Sequence, residues 1–233
     1  MKLIGVCLGI ISLIFITIFS VSYYNQQQLI SYNLSKNIKI FQIGPQKCGT
    51  TSLADFFNAN GVPSIHNDHG KLAQTIMNNH NSGKPLLAGP YAPFIGYFDM
   101  MKLNDDINQG IIIATLFFKD LDRQYPGSKF ILNVRDKNKW LRSVGYITLD
   151  NGLNLVEHCA KANNLSTSEI LSHWSAGYDA HYAAVLEYFK DRPNDLLVFN
   201  IESDPPEKLS IFFKDYFKLD PKLYGHKNKT KQN

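Results

Sequence analysis

The sequence has few cysteines and little excess charge, and both shortages narrow the functions it can have. Only three cysteines occur among 233 residues, so they cannot all pair with one another. Cys7 lies in the apolar N-terminus, and neither Cys48 nor Cys159 has a spacing typical of a metal site. The formal net charge of +4 suits a single anionic ligand better than a long polyanion. We therefore expect unpaired thiols, no metal site and no nucleic-acid partner.

The N-terminus lacks charge altogether between Lys2 and Lys36. Within this interval Leu3–Tyr24 is rich in Ile, Leu, Val and Phe, and about 20 such residues suffice for a helix to span a bilayer. Lys2 and the α-amino group favour a cytoplasmic N-terminus. A cleaved signal peptide is the alternative, because Ser20–Ser22 fits a cleavage site.

These features predict three parts of the chain. Residues 1–24 are predicted as a transmembrane signal anchor, residues 25–37 as a polar stem, and residues 38–233 as the catalytic domain. The arrangement is that of a single-pass type II membrane protein, whose catalytic domain lies on the luminal or extracytoplasmic side (Golgi-like in a eukaryote).

From residue 38 onward, apolar strands alternate with amphipathic helices, without an internal repeat or linker. Strands separated by helices pair in parallel through right-handed crossovers. The predicted fold is therefore α/β, a P-loop-type parallel sheet flanked by helices and preceded by one N-terminal transmembrane helix. The predicted strands are Ile38–Ile43, Val62–Ile65, Leu86–Ala88, Lys129–Val134 and Leu196–Ile201, and the predicted helices are Thr51–Asn60, Gly70–Asn81, Thr115–Tyr125, Asn138–Leu149, one within Ser166–Phe189, and one from Pro205 to about Phe217.

The loop after the first predicted strand gives the strongest functional signal. In IFQIGPQKCGTTSLADFF (Ile40–Phe57) an apolar strand runs into Gly44, and Gly49–Ser52 opens an amphipathic helix. Backbone N–H groups of such a loop and the helix N-terminus converge on an anion, usually a phosphate. The two glycines have the spacing of the NTPase P-loop, but Thr50 stands at the position of its lysine, and Lys47 lies inside the loop instead. The loop is therefore predicted to bind a phosphate-containing donor other than ATP.

A second segment is predicted to hold the other end of the same ligand. The strand Lys129–Val134 ends at Arg135, and Ser143 follows eight residues later on the next predicted helix. Ligands of parallel sheets bind at the carboxyl ends of the strands. Arg offers a planar fork that matches phosphate oxygens, and Ser offers a neutral hydroxyl. We expect Arg135 and Ser143 to bind a second phosphate.

Taken together, GPQKCGTTSL and KFILNVRDKNKWLRSV resemble the two nucleotide-binding motifs of sulfotransferases, which use 3′-phosphoadenosine 5′-phosphosulfate (PAPS). DRQYPGSKFILNVRD and RPNDLLVFNIESDPPEKLSIFF are similar to segments of small sulfotransferase-like proteins, so that the likeness covers residues 39–213. The resemblance implies a sulfotransferase that moves a sulfuryl group from PAPS to a hydroxyl acceptor. The predicted luminal or extracytoplasmic orientation of the catalytic domain favours a carbohydrate as that acceptor. It also implies that no metal is required, because a lysine takes the role that Mg²⁺ has in NTPases.

The same resemblance implies roles for individual residues. Lys47 would contact the oxygen that bridges phosphate and sulfate, and would stabilise charge as the S–O bond breaks. Arg135 and Ser143 would bind the 3′-phosphate, and His226 and Lys227 in the tail would close over the nucleotide. The 5′-phosphate would be bound by the rest of the loop and the start of the helix, namely Cys48, Gly49, Thr50, Thr51 and Ser52.

Transfer to a hydroxyl also needs a general base, which is a His or a carboxylate in this family. His66 and Asp68 follow the second predicted strand, and Asp99 follows the third. We predict His66 and Asp99 as the base, with Asp68 as a further catalytic candidate. The sequence does not decide among them.

Two other functions remain open. A P-loop nucleotide kinase or NTPase would need the lysine after Gly49 and an apolar strand ending in a metal-binding Asp, and the sequence shows neither convincingly. A catalytically inactive nucleotide-binding scaffold of the same fold is the second alternative, because the base is unassigned.

Overall fold

A computed structural model describes residues 38–103, 111–149 and 152–225. The predicted signal anchor and stem, and His226 and Lys227 of the tail, lie outside these residues. Within the described ranges, no helix combines the length and the apolar character needed to cross a bilayer.

The strands lie in two sheets. Their bounds are β1 Ile40–Gln42, β2 Ser64–His66, β3 Gly96–Phe98, β4 Met101–Leu103, β5 Ile111–Ile113, β6 Lys129–Val134 and β7 Leu196–Asn200. The main sheet is parallel and has the order β2-β3-β1-β6-β7, while β4 and β5 pair antiparallel beside it. The strand order reverses at β1, and the crevice at the carboxyl end of such a strand is where α/β sheets bind ligands.

Helices cover both faces of the main sheet, as predicted. Their bounds are α1 Thr50–Ala59, α2 Lys71–Asn81, α3 Phe118–Gln124, α4 Lys137–Gly145, α5 Leu155–Asn163, α6 Thr167–Phe189 and α7 Glu207–Phe212. On one face, α1 and α7 bury Phe57 and Leu209 against the sheet. On the other, α2 and α6 bury Leu72 and Phe189. The predicted α/β fold, a parallel sheet flanked by helices, is therefore confirmed.

The side chains of β6 contribute to the cores on both faces of the sheet and contact the loop after β1. Phe130, Leu132 and Val134 belong to the core on the α6 side, and Ile131 belongs to the core on the α1 side. Because side chains alternate along a strand, Asn133 shares the α1 side with Ile131. It is fully buried although it is polar. Its partners lie in the loop after β1.

The predicted strand at Leu86–Ala88 is wrong, because the third strand of the sheet is β3, ten residues further on. Leu86 and Leu87 are buried, but they belong to a turn whose N–H groups donate to side chains of the helix region near α3. Leu86 N–H donates to Gln124 Oε1 at 2.8 Å, and Leu87 N–H donates to the Tyr125 hydroxyl at 2.9 Å. Core packing therefore explains the apolar character of this segment without sheet pairing.

Several helix boundaries also differ from the prediction. The helix predicted at Asn138–Leu149 ends earlier, at Gly145, and no bounds were predicted for α5. α5 begins with a capping box, in which Asn154 N–H donates to Glu157 Oε2 at 3.1 Å. The pattern Asn154-x-x-Glu157 is a signal that would have found it. The last predicted helix is limited to α7, and the one predicted at Thr115–Tyr125 begins as a 3-10 turn.

Candidate functional site

The loop between β1 and α1 is held against β6 at its first residue. A side chain at Gly44 would overlap the backbone oxygen and the side-chain oxygen of Asn133, so only glycine fits there. Further along, Lys47 and Gly49 have φ values of 62° and 74°. Positive φ is strained for lysine, and such strain concentrates where a loop is held for a function. Lys47 itself is exposed.

Two buried amides fix the path of this loop. Asn133 Nδ2 donates to the Cys48 carbonyl at 2.7 Å, and Gln42 Nε2 donates to the Gly44 carbonyl at 2.5 Å. Gln42 Nε2 also donates to Asn133 Oδ1 at 2.6 Å, while Gln42 Oε1 accepts from Asp99 N–H at 2.8 Å. Gln42 therefore ties β1 to both neighbouring strands at the edge where the loop begins.

Replacing Gln42 by leucine is expected to lower the free energy of unfolding by about 2–4 kcal/mol. The change leaves the Asp99 N–H, the side-chain Oδ1 of Asn133 and the backbone carbonyl of Gly44 without the partner that Gln42 gives them. Chemical unfolding followed by circular dichroism would measure the loss. Gln74→Leu is the matched control, because the amide of Gln74 bonds the side chains of Asn78 and Lys102 and none of the residues around the loop after β1. Equal stability of the two variants would contradict the role given to Gln42.

The N-terminus of α1 is built to face an anion. Gly49 occupies the N-cap position, no side-chain cap is found there within the described residues, and the first turn contains no acidic residue. Thr50 and Ser52 are buried and Thr51 is half-buried. Since helix N-termini carry partial positive charge, this end attracts a phosphate oxygen.

Arg135 reaches the same loop from the end of β6. Its Nη1 donates to the Lys47 carbonyl at 3.0 Å, which joins the two segments singled out in the sequence. Its Nε is buried and has no hydrogen-bond partner among the described residues. Ser143 lies half-buried on α4. An arginine with an unused buried N–H is suited to an incoming acceptor such as a phosphate.

Cys48 belongs to the protein core rather than to the loop surface. Its side chain packs among Trp140, Val144 and Leu155, and burial raises the pKa of its thiol to about 12. Any contact of Cys48 with an anion would therefore come from its backbone N–H. Nearby, Trp140 Nε1 donates to the Gln46 carbonyl at 3.0 Å and holds the loop from the α4 side.

His66 and Asp99 come together at the start of α1. His66 Nε2 lies 3.1 Å from Thr50 Oγ1, 3.4 Å from Thr51 Oγ1 and 3.8 Å from Asp99 Oδ2. Burial raises the pKa of the Asp99 carboxyl, and the positive charges of His66 and Lys47 act in the opposite direction. A carboxylate with a raised pKa is a stronger proton acceptor, so this pair is suited to general-base work.

Asp68 stands apart from that pair in its bonding. Its Oδ2 accepts from the Tyr91 hydroxyl at 2.6 Å. It belongs to a run of positive-φ residues, Asn67 to Gly70, which Asn67 Nδ2 fixes by donating to the Asp99 carbonyl at 3.0 Å. The strained turn follows β2 and places Asp68 two residues after His66.

Sequence reasoning missed the residues that support the site. Gln42 and Asn133 interrupt otherwise apolar strands, and a polar residue in a buried strand is a signal that could have been used. His181 on α6 donates from Nε2 to the Ile43 carbonyl at 2.7 Å, behind the loop, and burial lowers its pKa. Glu202, after β7, contacts Arg135, and no local sequence pattern predicts this contact.

A comparison with models of protein families identifies the family of the chain. A family model described as "Sulfotransferase domain" matches residues 39–169, which is more than half of the chain. The matched range contains the loop after β1, the His66–Asp99 pair, Arg135 and Ser143. No curated protein matches the chain. Within the part of the chain that the structure describes, no group of three or more His, Cys, Asp or Glu residues could hold a metal ion.

Proposed function

Because the chain belongs to the sulfotransferase-domain family, we propose that it transfers a sulfuryl group from PAPS to a hydroxyl acceptor. The observation that carries this proposal is the bond of 3.0 Å between Arg135 Nη1 and the Lys47 carbonyl. It brings two segments, each suited to one phosphate, to the same crevice. PAPS carries two separated phosphates, one at the 5′ position and one at the 3′ position of its ribose.

The residues present fit such a donor. The N-terminus of α1 offers backbone N–H groups without a side-chain cap among the described residues, which suits the 5′-phosphate. Arg135 offers its buried Nε, which suits the 3′-phosphate, and Ser143 lies on the helix that follows. Both groups lie at the carboxyl edge of the sheet, beyond the ends of the neighbouring strands β1 and β6.

Bound PAPS would supply the sulfuryl group, whose S–O bond to the 5′-phosphate breaks while the acceptor oxygen forms a new bond to sulfur, leaving adenosine 3′,5′-bisphosphate. Lys47 is the exposed cation of the loop, and its ammonium stabilises the negative charge that develops on the departing phosphate oxygen. The backbone N–H groups at the start of α1 hold the phosphate while that charge builds. In this account no metal is required.

The acceptor hydroxyl must lose its proton as it attacks. Asp99, with its raised pKa, accepts that proton, and His66 Nε2 lies between the carboxylate, at 3.8 Å, and the Thr50 hydroxyl, at 3.1 Å, where a protonated imidazole would stabilise the carboxylate charge. Asp68 lies on the adjoining turn, where it could contact other hydroxyl groups of the acceptor.

The class of acceptor is inferred from the N-terminus. The uncharged run Leu3–Tyr24 supports an anchor that places the catalytic domain on the luminal side. Hydroxyl-rich carbohydrates are abundant acceptors there, so we propose a glycan.

Transfer of radiolabelled sulfate would test the function. The full-length chain, purified in mild detergent, is incubated with ³⁵S-labelled PAPS and a panel of glycans. Label in a glycan is the expected result. Hydrolysis of Mg²⁺-ATP without sulfate transfer would instead support the NTPase alternative, and nucleotide binding without any turnover would support the inactive scaffold.

Arg135→Met is expected to lower the affinity for adenosine 3′,5′-bisphosphate by about 100-fold, while the affinity for adenosine 5′-monophosphate changes by about threefold or less. The 3′-phosphate is the only group that distinguishes the two ligands. Isothermal titration calorimetry measures both affinities. Arg142→Met is the matched control, since Arg142 is an exposed arginine on α4, the helix that follows Arg135. Equal losses for both ligands would contradict the assignment of Arg135.

A further inference from the structure

Glu202 places a carboxylate on the groups that we assign to the 3′-phosphate. Its Oε1 lies 3.1 Å from Lys139 Nζ and 3.5 Å from Arg135 Nη2. Its Oε2 accepts from Asp136 N–H at 3.1 Å. Two cationic side chains and one backbone donor therefore converge on a single anionic group.

These donors belong to one face of the crevice. Asp136 is the N-cap of α4, and its own side chain accepts from Lys139 N–H at 2.8 Å. Lys139 and Ser143 are four residues apart on α4, so they lie on the same side of the helix. The carboxylate of Glu202 thus sits on the α4 face that also carries Ser143.

Glu202 is not what holds Arg135 in place. The guanidinium is fixed through Nη1, which donates to the Lys47 carbonyl at 3.0 Å, whereas its distance to Glu202 is 3.5 Å. Although partial burial acts to raise it, the pKa of Glu202 is lowered overall by the Asp136 N–H, Lys139 and Arg135. The side chain is 28% exposed, and it follows β7 in a segment of turns, where it can swing outward.

We propose that Glu202 occupies the 3′-phosphate position of the nucleotide-free protein and competes with that phosphate for Arg135 and Lys139. The inference rests on the proposed function. A bound 3′-phosphate displaces the carboxylate, and two like charges cannot share these donors without repulsion. Glu202 therefore weakens the binding of 3′-phosphorylated nucleotides and returns to the cations as the bisphosphate product leaves, which favours product release.

Glu202→Gln tests this directly. The variant keeps an oxygen that can accept from Asp136 N–H but removes the negative charge. It is expected to bind adenosine 3′,5′-bisphosphate about tenfold more tightly than the wild type, while the affinity for adenosine 5′-monophosphate changes by about twofold or less. Isothermal titration calorimetry on the full-length chain in detergent measures both ligands. Glu187→Gln is the control, because this substitution removes the same charge from a carboxylate on α6 that is 72% exposed and pairs with Lys190.

The outcomes separate this inference from the function on which it rests. If the wild type and Glu202→Gln bind the bisphosphate equally, the competition does not exist, although the proposed function stands. If Glu202→Gln binds it more weakly, Glu202 positions the cations instead, and the inference is overturned. If neither protein binds the bisphosphate, the proposed function fails and this inference fails with it.

Discussion

Lys47→Met is expected to lower the kcat of sulfuryl transfer by about 10²–10³-fold. Lys47 is the only lysine or arginine between Gly44 and Ser52, and its backbone is held at φ 62° with its side chain exposed at the crevice. Its ammonium interacts with the charge that develops in the transition state. The backbone N–H groups that hold the 5′-phosphate remain in the variant, so nucleotide affinity should fall by about tenfold or less.

Initial rates with ³⁵S-labelled PAPS, combined with calorimetry of adenosine 3′,5′-bisphosphate, separate these two effects. Lys84→Met is the matched control, because it removes the same charge from an exposed lysine. A Lys47→Met protein that kept full turnover would remove the lysine from the mechanism. A variant that lost binding and turnover in equal measure would make Lys47 a binding residue only.

Asp99→Asn is expected to lower the rate of sulfuryl transfer by about 10²–10⁴-fold. The same substitution is expected to make the protein more stable at neutral pH. Asp99 is largely buried, with its side chain 18% exposed, and burial raises its pKa. Above that pKa the folded protein carries a poorly solvated charge, which opposes folding. Asparagine keeps the shape and removes the charge. The melting temperature should therefore rise, by about 3 °C for each ~1 kcal/mol gained.

The raised pKa of Asp99 predicts how stability and activity each change with pH. The pKa of Asp99 is higher in the folded than in the unfolded protein, so protonation of Asp99 stabilises the folded state. This stabilisation is complete below the pKa of the unfolded state and is lost as pH rises through the pKa of the folded state. The stability advantage of Asp99→Asn should accordingly vanish at acidic pH, where both side chains are neutral.

In the wild type, kcat/KM should fall as pH falls through the raised pKa of Asp99. Asp191→Asn, at an exposed position, should change neither profile. An Asp99→Asn protein with normal activity would return the role of base to His66 alone or to Asp68.

The sequence predicts the centre of this fold well because the signals there are local. β6 occupies the predicted residues Lys129–Val134, and α1 differs from its prediction by one residue at each end. Both the loop after β1 and Arg135 follow apolar strands, and parallel strands bring their carboxyl ends to one edge. That rule places Lys47 and Arg135 at the same edge of the sheet, and the pairing of β1 with β6 then brings them together. Their roles toward PAPS stay predictions.

What the sequence could not supply depends on partners far away along the chain. The segment Leu86–Ala88 is as apolar as a buried strand, but two of its N–H groups donate to the side chains of Gln124 and Tyr125 instead of to a neighbouring strand. Glu202 meets Arg135 across 67 residues, through the pairing of β7 with β6. Such contacts follow from strand order, which a local pattern does not encode.

The structure of the protein in complex with adenosine 3′,5′-bisphosphate would test the central claim most directly. The account predicts the 5′-phosphate within about 2.7–3.2 Å of backbone N–H groups of Gly49–Ser52. It predicts the 3′-phosphate on Arg135, with the Glu202 carboxylate moved away, and the His66–Asp99 pair facing the 5′ end. A nucleotide bound elsewhere, or one whose 3′-phosphate points away from Arg135 into solvent, would contradict it.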